Sequence, residues 1–216
     1  MERDEAQRIL EKRTRSYQPM PGFPNFTGRS LEMFKRRSDC ILNYCGKNTS
    51  YLFCGCNAGY SCFEAVDAGA SKVVGMDGSG KCIEQAKMVA IARGYSTERP
   101  QFILQDVFKF FNENTEKFDW VIMLMLLHNV LKSHTLKETI ALMEKSAEFA
   151  NKGLIVTSRY KQWCRDGVHL AFPDVPQYIV DNSSFTRYEL VPIPLKGNKP
   201  DIAFGIPIWA FYKGSS

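Results

Sequence analysis

The chain has 216 residues, of which 44% are hydrophobic and 24% charged, and its formal net charge is +5. This composition excludes a disordered chain, and the length suits one α/β domain with a short appendage. No apolar stretch is long enough to span a bilayer, and the charged N-terminus lacks the apolar core of a signal peptide. We therefore expect no membrane insertion and a cytoplasmic or nuclear location. The seven cysteines lack zinc-finger spacing, so they are expected to be reduced core residues and not a metal site.

The first 45 residues predict two helices with an irregular segment between them. Residues 1–15 form a charged helical pattern, and residues 30–45 form a second one. Three prolines and two glycines exclude regular structure over residues 16–29, which nevertheless carry three aromatic side chains. Such a segment folds over a pocket as a lid or docks on the surface, and the sequence favours neither. We therefore divide the chain into an N-terminal helical or lid segment, 1–45, and a main domain, 46–216.

From residue 50 onward, strand and helix patterns alternate. The predicted strands are 51–54, 72–76, 101–105, 118–126 and 153–157, and the predicted helices between them are 60–67, 79–93 and 136–150. Such alternation predicts a parallel sheet covered by helices on both faces. Two further strands, 188–195 and 204–212, read as a hairpin. The expected fold is a Rossmann-like, seven-stranded α/β sheet with five parallel strands and a terminal antiparallel hairpin.

The carboxyl ends of these strands carry residues suited to a nucleotide-like ligand, because open parallel sheets bind ligands at that edge. The first strand ends in a turn with Gly55, Asn57 and Gly59, residues that tolerate positive φ and close approach of a ligand. Asp77 follows about 20 residues later, the distance at which a carboxylate can take both hydroxyls of a ribose. Asp106 ends the third strand, where it could accept from an adenine amino group. A helix or turn cap is the alternative for either aspartate alone.

These motifs, together with residues 68–77, 105–106 and 118–123, are similar to the class I S-adenosylmethionine-dependent methyltransferases over residues 50–160. The resemblance implies an enzyme whose cofactor is S-adenosylmethionine and whose cofactor product is S-adenosylhomocysteine. The glycine turn would wrap the methionine and ribose, Asp77 would hold the ribose, and Asp106 would read adenine. The implied cofactor-binding residues of the domain are Gly55, Cys56, Asn57, Gly59, Asp77, Gly78, Ser79, Asp106, Val107 and Leu124.

One position departs from the family pattern. Family members usually carry an acid two residues before the first glycine, where this chain has Phe53. Tyr17, Gln18 or Arg29 could compensate, since an arginine can bind the methionine carboxylate. The alternative is a degenerate relative that acts as a partner subunit.

The sequence predicts the methyl acceptor less specifically than the cofactor. The terminal strands resemble the bicoid-interacting RNA 5′-phosphate methyltransferases, and the entry segment loosely resembles both them and bacterial enzymes that cap a polysaccharide phosphate. The acceptor is thus expected to be polar and to carry a phosphate, with Arg37, Arg159 and Tyr160 as substrate contacts. A nucleic acid is one candidate partner, a small molecule is the alternative, and the oligomeric state stays open. His128 is the candidate base for a hydroxyl acceptor, or else a structural histidine.

Overall fold

The computed structural model describes residues 1–12, 18–20, 23, 31–96, 98–157, 163–164, 166–170, 174–192, 195–196, 199–200 and 207–214. Its helices are α1 (Arg3–Glu11), α2 (Leu31–Cys45), α3 (Tyr60–Asp67), α4 (Gly80–Arg93), α5 (Val107–Glu113), α6 (Leu127–Val130), α7 (Leu136–Ala147) and α8 (Val175–Asp181). Its strands are β1 (Ser50–Cys54), β2 (Lys72–Asp77), β3 (Gln101–Leu104), β4 (Phe118–Leu124), β5 (Ala150–Thr157), β6 (Phe185–Leu190), β7 (Leu195–Lys196), β8 (Lys199–Pro200) and β9 (Trp209–Lys213).

Seven of the strands form one sheet in the order β3-β2-β1-β4-β5-β9-β6, and β7 pairs with β8 separately. The predicted Rossmann-like fold, with parallel strands finished by an antiparallel end, is confirmed. The chain divides into two compact units, residues 1–107 and residues 108–216. In the described part of the chain, no helix is both long and apolar enough to cross a membrane.

In the first unit, β1, β2 and β3 run parallel, with Phe53 opposite Gly75 and Asp77 opposite Leu104. Strand β1 is buried along nearly its whole length, as expected for a strand covered on both faces. Helix α1 packs against α4, and α2 packs against α3. Helix α4 begins where Ser79 Oγ accepts from the Cys82 N–H, and it ends at Gly94 in the left-handed conformation.

In the second unit, β4 and β5 run parallel, while β9 lies antiparallel to both β5 and β6. The hairpin prediction is therefore correct in kind, although its strands lie at 185–190 and 209–213. Helix α7 starts with a capping box in which the side chains and backbones of Thr135 and Glu138 bond reciprocally.

Several predicted bounds were wrong. Helix α7 stops at Ala147 and not at 150, because residue 150 already pairs with Phe118 as the first residue of β5. Strand β4 ends at Leu124 and not at 126, because Met125 turns the backbone into the left-handed region with φ 57°. Strand β3 ends at Leu104, so Asp106 lies beyond it, one residue before α5. The short helices α5, α6 and α8 were not predicted from the sequence.

Candidate functional site

The turn between β1 and α3 contains three residues with positive φ. Gly55, Asn57 and Gly59 have φ values of 70°, 53° and 83°. A Cβ atom on Gly59 would lie 2.7 Å from Phe102 Cζ, so the ring of β3 fills the space that a side chain would need. Backbone conformation and crowding therefore both require glycine at position 59.

The Asp77 carboxylate joins this turn to the start of α4. Its Oδ2 accepts from the Asn57 N–H, and its Oδ1 accepts from the Ser79 N–H, each at 2.9 Å. The Asp77 carbonyl also accepts from the Gln105 N–H at 3.1 Å. One residue at the end of β2 thus ties together segments that follow β1, β2 and β3.

These bonds leave Asp77 with acceptor capacity for a ligand. A carboxylate offers about four lone-pair positions, and the two backbone donors use two of them. Asp77 is half-buried, while Gly78 and Ser79 next to it are exposed. The arrangement can therefore receive two hydroxyl donors at a position that the backbone has already fixed.

Cys56 contributes to the turn through its backbone. Its N–H donates to the Met76 carbonyl at 2.9 Å, and its carbonyl accepts from the Gly59 N–H at 3.0 Å. Its side chain is buried, and a hydrogen bond with the Cys62 thiol, followed by burial, holds the pKa of the Cys56 thiol well above its usual value. The thiol is therefore neutral and inert at physiological pH.

Phe53 replaces the acid of the family pattern with a buried ring. It is 4% exposed and stacks on Tyr51 with ring centroids 5.7 Å apart. An apolar side chain fixed in this way offers no polar atom to a ligand. Three residues were expected to compensate for the missing acid. The Gln18 side chain is hydrogen-bonded to Tyr60, the first residue of α3, whereas Tyr17 and Arg29 lie outside the described residues.

Asp106 and Val107 follow β3, Asp106 exposed and Val107 buried. Leu104, which was not among the predicted site residues, lies opposite Asp77 in the sheet register, and its side chain is 58% exposed. An exposed leucine beside a fixed carboxylate provides an apolar surface for a flat ring. Only the register shows this, because the sequence cannot tell which face of a short edge strand remains open.

In the second unit, β4 ends in a turn held by β5. The Met125 N–H donates to both the carbonyl and Oγ1 of Thr157, at 3.0 and 2.9 Å. Thr157 is fully buried, whereas Leu124, Met125 and Leu126 are all half-exposed. The turn thus presents three consecutive apolar side chains at the carboxyl end of β4, and the strained φ of Met125 is typical of functional turns.

The remaining candidates lie in different parts of the chain. His128 is half-exposed on α6, just after this turn. Arg37 is half-exposed on α2 in the first unit, with its guanidinium 5.8 Å from the centre of the Phe34 ring. Arg159 and Tyr160 lie outside the described residues. All seven cysteines carry free thiols, and the described residues contain no cluster of three or more His, Cys, Asp or Glu that could hold a metal.

Comparison with known proteins identifies the class of this fold. The structure resembles magnesium protoporphyrin IX methyltransferase (ChlM) from Synechocystis PCC 6803 with bound SAM at 19% identity and TM-score 0.58, over 97% of this chain and 91% of that chain. It resembles the bifunctional kinase-methyltransferase WbdD at 16% identity and TM-score 0.67, over 95% of this chain and 45% of that chain. It also resembles EvdMO1 at 16% identity and TM-score 0.65, over 98% of this chain and 47% of that chain. The chain therefore spans about half the length of WbdD and EvdMO1.

Sequence identities of 16–19% to solved structures establish only the fold. The family is established by a separate match to a family model. A model described as a methyltransferase domain matches residues 46–183, which is more than half of the chain. A search of curated proteins finds no match. The protein is a class I S-adenosylmethionine-dependent methyltransferase, as the sequence analysis predicts. It belongs to this methyltransferase domain family.

Proposed function

We propose that the chain transfers the methyl group of S-adenosylmethionine to an oxygen atom of a polar acceptor that carries a phosphate, such as an RNA end or a phosphorylated glycan. The observation that carries the cofactor half is the bridging position of Asp77, whose two oxygens are each fixed by a backbone N–H. The acceptor half is supported by the basic residues of α2 and by the family resemblance of the terminal strands.

The cofactor would lie along the carboxyl ends of β1, β2 and β3. The turn with Gly55, Asn57 and Gly59 would enclose the methionine and ribose, and the free lone pairs of Asp77 would accept from the ribose hydroxyls. Adenine would lie against Leu104, with Asp106 and the backbone of Val107 at its polar edge. The segment 1–45 would cover this edge and contribute Tyr17 and Arg29.

A phosphate acceptor fits this chemistry because its oxygen is already anionic. Methyl transfer from a sulfonium is an in-line displacement, and correct positioning supplies much of the rate. An anionic nucleophile needs no base, only a cation to orient it. A guanidinium does this with paired N–H groups, which is the role proposed for Arg37 and Arg159. The phenol of Tyr160 would add one O–H donor.

His128 distinguishes a phosphate acceptor from a hydroxyl acceptor. A hydroxyl nucleophile gains from a base near the methyl group, and His128 follows the β4 turn where that base would be placed. His128→Gln should therefore leave methylation of a phosphate unchanged and slow methylation of a hydroxyl by about 100-fold or more. A loss on a phosphate acceptor would contradict this division.

The acceptor class is tested by a labelled-methyl screen across RNA ends, phosphorylated glycans and metabolite pools. Arg37→Ala should then lose turnover on the acceptor found, whereas Arg8→Ala, an exposed cation of α1, serves as the control. Wild-type turnover in Arg37→Ala would remove the main support for a phosphate. Labelling confined to a metabolite without phosphate would instead establish the small-molecule alternative.

Phe53, in place of the family acid, favours one alternative function. The chain would then be a catalytically degenerate methyltransferase relative that serves as a partner subunit. Calorimetry with S-adenosylmethionine and S-adenosylhomocysteine separates the two. The enzyme hypothesis requires binding of both ligands, and a folded protein that binds neither would exclude it.

A further inference from the structure

Residues 18–20 and Phe23 are held against the start of α3 and the side of α4. Gln18 Oε1 accepts from the Tyr60 N–H at 3.2 Å, and Met20 Sδ accepts from Gln85 Nε2 at 3.7 Å. Pro19, Met20 and Phe23 are buried. The Phe23 N–H donates to the Met20 carbonyl at 3.0 Å. We call this part of the chain the docked segment.

Gln18 fills a role that the local sequence cannot fill. The first N–H groups of a helix lack partners within the helix, and a side chain at the N-cap usually supplies one. The N-cap of α3 is Gly59, which has no side chain, and both its φ and the Phe102 ring prevent its replacement. The acceptor for Tyr60 therefore comes from Gln18, 42 positions earlier in the chain.

The Tyr60 bond fixes which way the Gln18 amide faces. A backbone N–H only donates, so the atom bonded to it must be the carboxamide oxygen. The amide NH₂ then lies on the other side of the group with two N–H donors. Gln18 is half-exposed, and among the described residues its side chain is hydrogen-bonded through Oε1 alone. A half-exposed amide is thus held at the start of α3 through its oxygen, which leaves its two N–H donors for another partner.

We propose that Gln18 is a cofactor-binding residue, whose amide N–H groups bind the carboxylate at the methionine end of S-adenosylmethionine. This inference rests on the proposed function, which puts the methionine end of the cofactor against the same turn. Gln18 thereby supplies a polar contact at the end of the cofactor where the family acid is replaced by the buried ring of Phe53. The docked segment and the bound cofactor stabilise each other through this one side chain.

The test compares two ligands that differ at the methionine end. S-adenosylhomocysteine carries the carboxylate, while 5′-methylthioadenosine keeps the adenine and ribose but lacks the amino-acid end. Calorimetry measures the affinity of both for the full chain with Gln18, Gln18→Glu and Gln18→Met. The glutamate keeps an oxygen for Tyr60 but replaces the donors with an acceptor, and the methionine keeps the bulk but has neither.

We expect both variants to lose about tenfold or more in affinity for S-adenosylhomocysteine, as for a hydrogen bond to a charged group, and less than about twofold for 5′-methylthioadenosine. Gln101→Glu makes the same chemical change at the exposed opposite end of β3 and should leave both affinities unchanged. Melting curves of every variant without ligand report any effect on the fold. If one Gln18 variant fails to fold, the other provides the test.

Three results would overturn the inference. Equal losses for both ligands would mean that Gln18 only supports the turn, and unchanged affinities would mean that it makes no contact. The third result is a folded wild-type protein that binds neither ligand, which defeats the proposed function as well. The first two results leave the proposed function intact, because wild-type binding of S-adenosylhomocysteine is then already measured.

Discussion

The two units present strand ends of opposite chemical character. In the first, polar side chains accept from backbone N–H groups of the turn, as the Asp77 carboxylate does from Asn57 and Ser79. In the second, Thr157 fixes a turn whose exposed parts are the side chains of Leu124 and Met125. Backbone groups can bind a cofactor that is common to a whole class of enzymes, because they do not change with the sequence. An acceptor that differs between enzymes is better recognised by side chains, which substitution can change.

The largest effect should come from Gly59→Ala, which strains the backbone of the turn in the first unit. Left-handed backbone costs about 1–2 kcal/mol for alanine, and overpacking against the Phe102 ring adds about 1–3 kcal/mol. We therefore expect a loss of about 2–5 kcal/mol in the free energy of unfolding, measured by urea denaturation, together with loss of cofactor binding.

Gly69→Ala is the matched control for that change. Gly69 has a φ of 84°, close to the 83° of Gly59, but no atom lies within 4 Å of its added Cβ. It should lose only the cost of the left-handed backbone. Equal losses at positions 59 and 69 would show that contact with Phe102 contributes nothing.

Asp77→Ala should be next, with an effect on binding larger than its effect on folding. It removes the acceptors of two backbone N–H groups and those proposed for the ribose hydroxyls, so affinity for S-adenosylmethionine should fall by more than about tenfold. Calorimetry measures this, and Asp181→Ala on α8 serves as a carboxylate control. An unchanged affinity would disprove the ribose assignment.

Thr157→Val tests the second unit at a smaller scale. Valine keeps the shape but lacks the Oγ1 that accepts from the Met125 N–H, so we expect a loss of about 1 kcal/mol in stability and a lower turnover with normal cofactor affinity. Thr139→Val is the control, since Thr139 is also fully buried and its hydroxyl donates to the Thr135 carbonyl. It should match the stability loss and keep full turnover. A fall in cofactor affinity in Thr157→Val would contradict the separation of the two roles.

Cys56→Ala should have the smallest effect. Its backbone makes the bonds of the turn, so cofactor affinity should change by less than about twofold. Because the pKa of its thiol is raised, alkylation of Cys56 should remain slow at pH 8 and accelerate only at higher pH, whereas the half-exposed Cys82 provides a faster internal reference. Rapid labelling of Cys56 at pH 8 would show that the turn opens in solution.

The sequence predicted the long, regular elements of the fold well, because each has a clear hydrophobic period. Helix α3 was predicted with its observed bounds, and the β1–β5 strands lie within a few residues of their predicted positions. Helices α5, α6 and α8 are too short for a hydrophobic period to be recognised in their sequences. The terminal hairpin lacks a regular alternation, because β9 begins with four consecutive apolar or aromatic residues and β6 has two exposed polar residues in succession, so its strand ends could not be predicted from the pattern.

The site was predictable in its residue types but not in its bonds. Spacing alone indicated Asp77 as a ribose acceptor, but the bond from Asn57 joins residues 20 positions apart and depends on an unusual backbone turn. The bond between Gln18 and Tyr60 spans 42 positions. The left-handed conformation of Met125 has no sequence signal, because methionine rarely adopts it.

The packing of α1 has a consequence for where this domain begins. Ala6 and Leu10 are fully buried, and Arg3 Nε donates to the Ala92 carbonyl in the last turn of α4 at 3.1 Å. The family model matches only from residue 46, so a border taken from that model would lie after this helix, although the structural similarity to ChlM covers 97% of the chain. Truncation at that border would expose the apolar face of α4 to water. The segment that the family model matches is therefore shorter than the segment that must stay together to keep this face of α4 buried.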